Sequence, residues 1–194
     1  MMEKRFITSQ EHFEDSFRLA MKIHESGYRP DYIIGIWRGG TPVGIVVHEF
    51  LAYVGIKVDH ISVRTSYKGR EFYKQGEREQ KIYVHNTRFL VDRVNSNDSL
   101  LIVDDVYATG RSVKAVIDRL SKKLRRNMPK DIRIAVPYYK PVLNRVGRVP
   151  DYCLHESEDW LVMPHELNGL TSAEIKEHRP KAHALAQKIM KAKN

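Results

Sequence analysis

In the stretch Leu100-Leu-Ile-Val-Asp-Asp-Val-Tyr-Ala-Thr-Gly-Arg-Ser-Val113, four large aliphatic residues in a row leave no polar face. Such a run reads as a strand buried on both sides, as in a parallel sheet. Asp104 and Asp105 follow at its C-terminal edge, where open α/β sheets bind their ligands. A Thr109-Gly110 turn then leads into a helix expected from about Ser112 to Leu124, whose unpaired first-turn N–H groups suit an anion. If the strand continues through the two acids, they point to opposite sides. One or both can then face a ligand and accept hydrogen bonds from its hydroxyls, directly or through Mg²⁺. The plainer alternative is that the acids only cap the helix.

Upstream, Tyr32 to Trp37 reads as a strand, Arg38-Gly39-Gly40 as a tight loop, and Thr41 as the cap of a helix with Pro42 in its first position. Taken alone, Arg-Gly-Gly is an ordinary turn. Val58 to Val63 is a further strand, and the charged run Arg64 to Gln80 that follows reads as a mobile loop. Beyond it, Ile82 to Val84 fits a short strand, Arg88 to Val94 a short helix, and Ile132 to Tyr139 a strand, with Tyr152 to Leu154 and Trp160 to Met163 as late ones. At the N-terminal end, Thr8 and Glu11 have capping-box spacing before a helix with Phe13, Phe17, Ala20 and Met21 on its apolar face, stopped by Gly27 and Pro30. Strands alternating with helices imply an α/β fold: a mostly parallel, doubly wound sheet flanked by helices.

No linker composition divides the 194 residues, so a single domain is expected over 1–170. The tail 171–194 reads as helical and basic, with a second capping box at Thr171 and Glu174, an interruption at Pro180, and a solvated Lys-rich end. No apolar run is long enough to cross a bilayer and the first residues lack a signal-peptide core, so the expected location is the cytoplasm, without a membrane partner. Cys153 is the single cysteine, which excludes an intrachain disulfide and a cysteine-based zinc site and leaves a buried, inert thiol as the expectation. The nine histidines show no zinc-protease spacing. A net charge of +9 favours an anionic partner without choosing one.

The segment from Leu100 to Val113 resembles the 5-phosphoribosyl-1-pyrophosphate (PRPP) motif of type I phosphoribosyltransferases, and the resemblance runs from about Phe6 to Glu166. It implies a catalytic pair, Asp104 and Asp105, that fixes the ribose and takes part in holding Mg²⁺. It also implies a phosphate cradle of Ala108, Thr109, Gly110, Arg111 and Ser112. Arg38, Gly39 and Gly40 look like the pyrophosphate loop, which in the family contains a cis peptide. Ser66 and Tyr67 look like the start of a catalytic loop that closes over PRPP. A small base-binding hood is implied, built from the N-terminal segment and about 150–170, and a homo-oligomer is expected by the same analogy.

For the acceptor, Lys140 matches in spacing the lysine that 6-oxopurine members direct at the exocyclic oxygen. Trp160 would stack on the purine, the Leu161 backbone would read its edge, and Glu166 would join the Mg²⁺ site. The closest likeness is therefore to bacterial hypoxanthine and xanthine-guanine enzymes, transferring phosphoribose from PRPP to a purine base and releasing pyrophosphate and a purine nucleotide. One position departs: Ala108 stands where those enzymes carry an Asp that acts on N7, and adenine phosphoribosyltransferases do place Ala there. Two competing readings are a PRPP-sensing regulatory protein that binds nucleic acid, and a transferase for adenine or a non-purine acceptor. No helix-turn-helix is visible, so a nucleic-acid partner is not expected.

Overall fold

The computed structural model describes residues 4–67 and 81–191. Its strands are β1 (Lys4–Phe6), β2 (Tyr32–Trp37), β3 (Asp59–Tyr67), β4 (Ile82–His85), β5 (Ser99–Val103), β6 (Val106–Tyr107), β7 (Asp131–Tyr139), β8 (Tyr152–Glu156) and β9 (Trp160–Val162). Its helices are α1 (Ser9–Glu25), α2 (Gly40–Tyr53), α3 (Arg88–Arg93), α4 (Arg111–Leu124), α5 (Ser172–His178) and α6 (Pro180–Lys191). Among the described residues no helix is long and apolar enough to cross a membrane.

The main sheet runs β4-β3-β2-β5-β7-β6, with β8 also on β7. Every pairing in it is parallel except β3 with β4. This is the doubly wound arrangement that the alternation of strands and helices predicts. The order reverses between β2 and β5, the kind of switch point at which open α/β sheets bind their ligands. β5 and β6 lie along the same partner in one register, Val103 opposite Ala135 and Val106 opposite Tyr138. Asp104 and Asp105 are where pairing lapses between them, so the strand does not run through the acids.

Alternation along the central strands divides the apolar side chains between two layers. Ile33, Leu101, Val103 and Ala135 pack with Leu19, Ala20 and Ile23 of α1 and Val43, Val47 and Leu51 of α2. Ile34, Ile36, Leu100, Ile102, Ile134 and Val136 face Leu90 near the start of α3 and Val113, Val116, Leu120 and Leu124 of α4. The fully apolar strands thus follow from having helices on both faces.

Helix α1 turns a different face inward from the one its aromatics suggest. Phe13, Phe17 and Met21 are about half exposed, whereas His12, Asp15, Ser16, Leu19, Ala20 and Ile23 are buried. The chosen face carries a carboxylate that finds partners: Arg18 Nη1 donates to Asp15 Oδ1 (3.0 Å), Tyr138 Oη donates to Asp15 Oδ2 (3.2 Å), and His155 Nε2 lies 2.9 Å from that same oxygen. A buried acid so satisfied is tolerated, and the aliphatic Leu19 and Ile23 fill the layer more closely than rings would. Cys153 is half-buried on β8; its Sγ donates to the His155 carbonyl (3.2 Å) and burial pushes the thiol up, in keeping with an unreactive role.

The described residues separate into two compact units, 10–158 and a smaller one made of the residues up to Ser9 with those from Asp159 onward. In the smaller unit β1 pairs with β9 in parallel, Lys4 opposite Trp160. The capping box at the start of α5 is present: Glu174 N donates to Thr171 Oγ1 (3.2 Å) and Thr171 N donates to Glu174 Oε2 (2.7 Å). Lys4 Nζ, 2.6 Å from Glu174 Oε1, and that cap hold the carboxyl down to about 2. Pro180 opens α6 rather than ending the helical region, as its fixed φ allows in a first turn.

Beneath the loop after β2, the His60 ring fills the space left by two glycines. A Cβ on Gly44 would come within 2.7 Å of His60 Nε2, and one on Gly35 within 3.0 Å. That nitrogen is buried without a hydrogen-bond partner, and burial, with a smaller contribution from His48, lowers the ring to about 4. The unfolded chain, with an ordinary value of 6.5, binds the proton first as pH falls, so His60 erodes stability from about pH 6.5 down to about 4. Replacing His60 by Leu is expected to flatten the decline of Tm across that window, measured by thermal melting at stepped pH; an unchanged slope would refute this assignment. Separately, Leu19→Ala should cost about 2–5 kcal/mol in urea unfolding, whereas Met21→Ala on the outer face of α1 should cost less than about 1.

Candidate active site at the switch point

The loop that follows β2 and the break that follows β5 press directly on one another. A Cβ on Gly39 would overlap the Asp105 carboxylate, and one on Gly40 would overlap the Val103 carbonyl and lie 2.8 Å from Asp104 Cα. Only glycine permits backbone this close. The Trp37–Arg38 peptide is cis, as the family resemblance implies. Helix α2 starts at Gly40 with Gly39 before it, so Thr41 is inside the first turn and not the cap. Its hydroxyl instead donates to Ser62 Oγ (3.1 Å), tying the loop to β3.

In the break, Asp105 N donates to Asp104 Oδ1 (3.0 Å) and Val106 N donates to Asp105 Oδ1 (2.9 Å). Main-chain bonds on either side, Asp104 N to the Ala135 carbonyl and Tyr138 N to the Asp105 carbonyl (both 3.3 Å), keep the segment against β7. Burial first, and then the neighbouring Asp105 charge, push the Asp104 carboxyl well above the usual carboxylate range, only partly offset by the N–H groups of Asp105 and Gly40. Two acids so placed are complementary to hydroxyl donors or a cation. Their side-chain oxygens bond within the break, and neither caps α4.

That helix begins one residue earlier than expected, at Arg111, with Gly110 preceding it at φ 72°. A side chain at Gly110 would also collide with the Tyr107 hydroxyl, which donates to the Arg148 carbonyl (2.8 Å). Arg111 N reaches Thr109 Oγ1 only at 3.4 Å, and Ala108, Thr109, Arg111 and Ser112 all retain partial exposure. The result is a short cradle of main-chain N–H groups and small hydroxyls at a helix start, beside the acid pair. Lys140 follows β7, almost buried at 9 % exposure, and its N–H donates to the Tyr107 carbonyl (2.9 Å), which brings its backbone alongside the residue preceding Ala108.

Ser66 and Tyr67 belong to a strand rather than to a loop. Pairing with β4 carries β3 through Tyr67, opposite Ile82, and Ser66 Oγ lies 2.9 Å from His85 Nε2. The β-branched Val63 and Thr65 favour that extension. Residues 68–80, the rest of the expected loop, lie outside the described residues. Trp160, Leu161 and Glu166 are in the smaller unit. There Trp160 is half exposed with Lys4 Nζ 5.5 Å from its ring centre, Leu161 is buried, and Glu166 N donates to the Met163 carbonyl (3.0 Å).

Sequence reasoning passed over His85, which partners Ser66, and Tyr107, which supports the turn at Gly110. The alternation along β4 and the aromatic next to the acid pair were the available signals. Arg38 is exposed beside the cis peptide and makes no ion pair among the described residues.

A glycine loop, an acid pair and a helix start are gathered at the switch point of an open sheet, an arrangement complementary to a phosphorylated ligand. Residues 7–167 match the family model described as phosphoribosyl transferase domain, and the chain belongs to that family. An adenine phosphoribosyltransferase of Halothermothrix orenii is 32% identical over 120 residues, 56% of this chain and 63% of that protein, so the chain spans under two thirds of that relative's length. Among solved structures, a purine phosphoribosyltransferase from Pyrococcus horikoshii is 26% identical with a TM-score of 0.64, covering 88% of this chain and 99% of its own. A hypothetical protein from Neisseria gonorrhoeae with bound ppGpp shares the fold, at 21% identity and a TM-score of 0.69, covering 95% of this chain and 98% of its own.

The contact between loop and acid pair is directly testable. Gly39→Ala is expected to displace either the loop or Asp105 and to lower unfolding stability by about 1–3 kcal/mol, the range for forced overpacking. Gly55→Ala makes the comparison: its φ of 86° carries a strain penalty but nothing lies within 4 Å of an added Cβ. A Gly39→Ala protein no less stable than Gly55→Ala would contradict the close packing described.

Proposed function

We propose that this protein transfers the 5-phosphoribosyl group of PRPP to a purine base, releasing pyrophosphate and a purine nucleotide. The observation that carries the reading is the Asp104–Asp105 break pressed against Gly39 and Gly40, because it sets hydroxyl-binding acids, a close-approach anion loop and a helix start around one crevice.

In this proposal Asp104 and Asp105 hold the ribose hydroxyls, and the N–H groups and hydroxyls from Ala108 to Ser112 hold the 5-phosphate. Arg38 and the Gly39-Gly40 backbone receive the pyrophosphate. Ser66 and Tyr67 lead into the segment that would shield C1 from water. The base nitrogen N9 attacks C1, the bond from C1 to the pyrophosphate oxygen breaks with its electron pair, and the positive charge that develops on the ribose is met by fixed groups. The proton released from the base passes to water, since the Ala108 methyl has no lone pair to accept it.

The acid pair fits a Mg²⁺ ion. Asp104 is raised by burial first and then by the adjacent carboxylate, a cost that a cation would relieve, and one or two carboxylates with ligand phosphates are a usual Mg²⁺ shell. Bound Mg²⁺ would supply positive charge to the pyrophosphate as it leaves. Glu166, which the family resemblance adds to the metal site, lies in the smaller unit, and no group of three or more acids, histidines or cysteines that could hold a metal occurs among the described residues.

For the acceptor we favour a 6-oxopurine, hypoxanthine or guanine. The reason is Lys140, whose ammonium donates to an oxo group and cannot accept from the amino group of adenine. Trp160 would offer a stacking face and Leu161 its backbone. A second reading, adenine, draws on Ala108 and on the relative named adenine phosphoribosyltransferase. The homo-oligomer stays a proposal by family analogy, as does a cytoplasmic place in purine salvage.

Initial rates with PRPP and Mg²⁺ against hypoxanthine, guanine, xanthine and adenine test both readings. We expect 6-oxopurine turnover, reduced about 100-fold or more in Asp104→Asn/Asp105→Asn. Lys140→Met should lower kcat/KM for hypoxanthine at least about tenfold with little change in the KM for PRPP. Faster turnover of adenine would transfer the assignment to the second reading, and PRPP binding without turnover of any base would remove the transferase reading.

A further inference from the structure

In the smaller unit, β1 and α5 converge on Trp160. Lys4 lies opposite Trp160 in the parallel β1–β9 pair, and Phe6 lies opposite Val162. Alternation puts these four side chains on one face of the two-stranded sheet. Helix α5 meets that face with two residues four apart, which share a side of a helix. Glu174 Oε1 is 2.6 Å from Lys4 Nζ, and the His178 ring stacks on Phe6, 3.6 Å between centroids and 14° between planes. Arg179, next in the chain, donates through Nη2 to the Ile7 carbonyl (3.0 Å) and the Met163 carbonyl (3.3 Å), so it clips together the ends of both strands.

The consequence falls on the indole. Lys4 Nζ stands over the Trp160 ring, 5.5 Å from its centre, within the range of a cation–π contact. A lysine on its long flexible stem would not hold that place unaided. Here the ammonium is fixed from its other side by Glu174, which is itself fixed by the capping box with Thr171. The Lys4 and Glu174 side chains are only 26% and 25% exposed, so the pair is sheltered and not a loose surface contact. Trp160 nonetheless stays half exposed. An ammonium on one face of the ring leaves the other as the accessible one, and a fixed, accessible aromatic face is what a flat heteroaromatic base stacks on. We infer that Lys4 and Glu174 are positioning residues for the base, acting through Trp160 by setting the orientation of the indole and the face it presents. The inference rests on the transferase reading above, in which Trp160 stacks on the purine. It assigns a role to α5, in a tail whose composition reads only as helical and basic.

The test measures initial rates of the full chain at varied base and at varied PRPP, with hypoxanthine or whichever of the four bases turns over fastest. Lys4→Met keeps the length of the side chain without its charge, and Glu174→Gln keeps a capping-box residue without the charge that holds Lys4. Each should raise the KM for the base about three- to fivefold and leave the KM for PRPP within about twofold. Lys4→Arg, which retains the charge and can stack on the ring, should restore the native value. Adding Lys4→Met to Trp160→Ala should raise the KM for the base no further, because the lysine acts through the indole. Melting by circular dichroism verifies that each variant is folded. A second readout needs no turnover: Trp37→Phe leaves Trp160 as the one indole of the chain, and hypoxanthine should quench its emission less effectively once Lys4→Met is added. An unchanged KM for the base in Lys4→Met, equal rises in both KM values, or an additive loss in the Trp160→Ala background overturns the inference and leaves the transferase reading standing. Absence of turnover with every base removes the transferase reading instead. Quenching of Trp160 that Lys4→Met weakens would then still support the inference for a base-binding protein, and absence of quenching would overturn it.

Discussion

Everything at the candidate site depends on backbone meeting carboxylate without an intervening side chain. Gly39 lies against Asp105 and Gly40 against the end of β5, so the loop after one central strand and the break after the next are built as a single surface. The sheet order makes this possible, because β2 and β5 are hydrogen-bonded neighbours at the point where the winding reverses. Two segments more than sixty residues apart in the chain are thereby held together, with glycine main chain on one side and the two Asp side chains on the other. Rigid main chain, rather than flexible side chains, fixes where an anion can sit relative to the acids.

The electrostatic arrangement follows from the same contact. Asp104 is enclosed next to a second acid, and its carboxyl is held in the neutral form more readily than an isolated carboxylate would be. A partner bearing hydroxyls or a cation relieves that cost, so the acid pair is complementary to such a partner. Neither acid is neutralised by a basic side chain of the chain itself among the described residues. A built-in Lys or Arg partner would have satisfied the fold and diminished the site.

Much of this architecture could be read in advance, and the reason is local. The aliphatic run at 100–103, the acid pair and the turn at Gly110 each declare themselves within a few residues, and the sheet class follows from the alternation around them. The face of α1 could not be read, since two overlapping apolar stripes compete in its sequence. The partners that select between them, Tyr138 and His155, lie more than 120 residues away. The end of β3 was misplaced for a related reason: Arg64 to Tyr67 looks like the beginning of a polar loop until β4 supplies a strand to pair with. Ala108 is visible in sequence, but its meaning depends on the main-chain bond from Lys140 to Tyr107, which only the fold reveals.

The common register of β5 and β6 along β7 bears on how such a site can diversify. Because Val103 and Val106 keep step with Ala135 and Tyr138, the interval holding the two acids has a fixed length. One residue gained or lost there would turn Tyr107 from the interior to the opposite face of the sheet, and with it the support beneath Gly110. Descendants of this sequence are therefore free to exchange side chains within the interval but not to lengthen or shorten it. Variation in ligand preference is channelled toward substitutions such as that at Ala108 and toward the segments around the crevice.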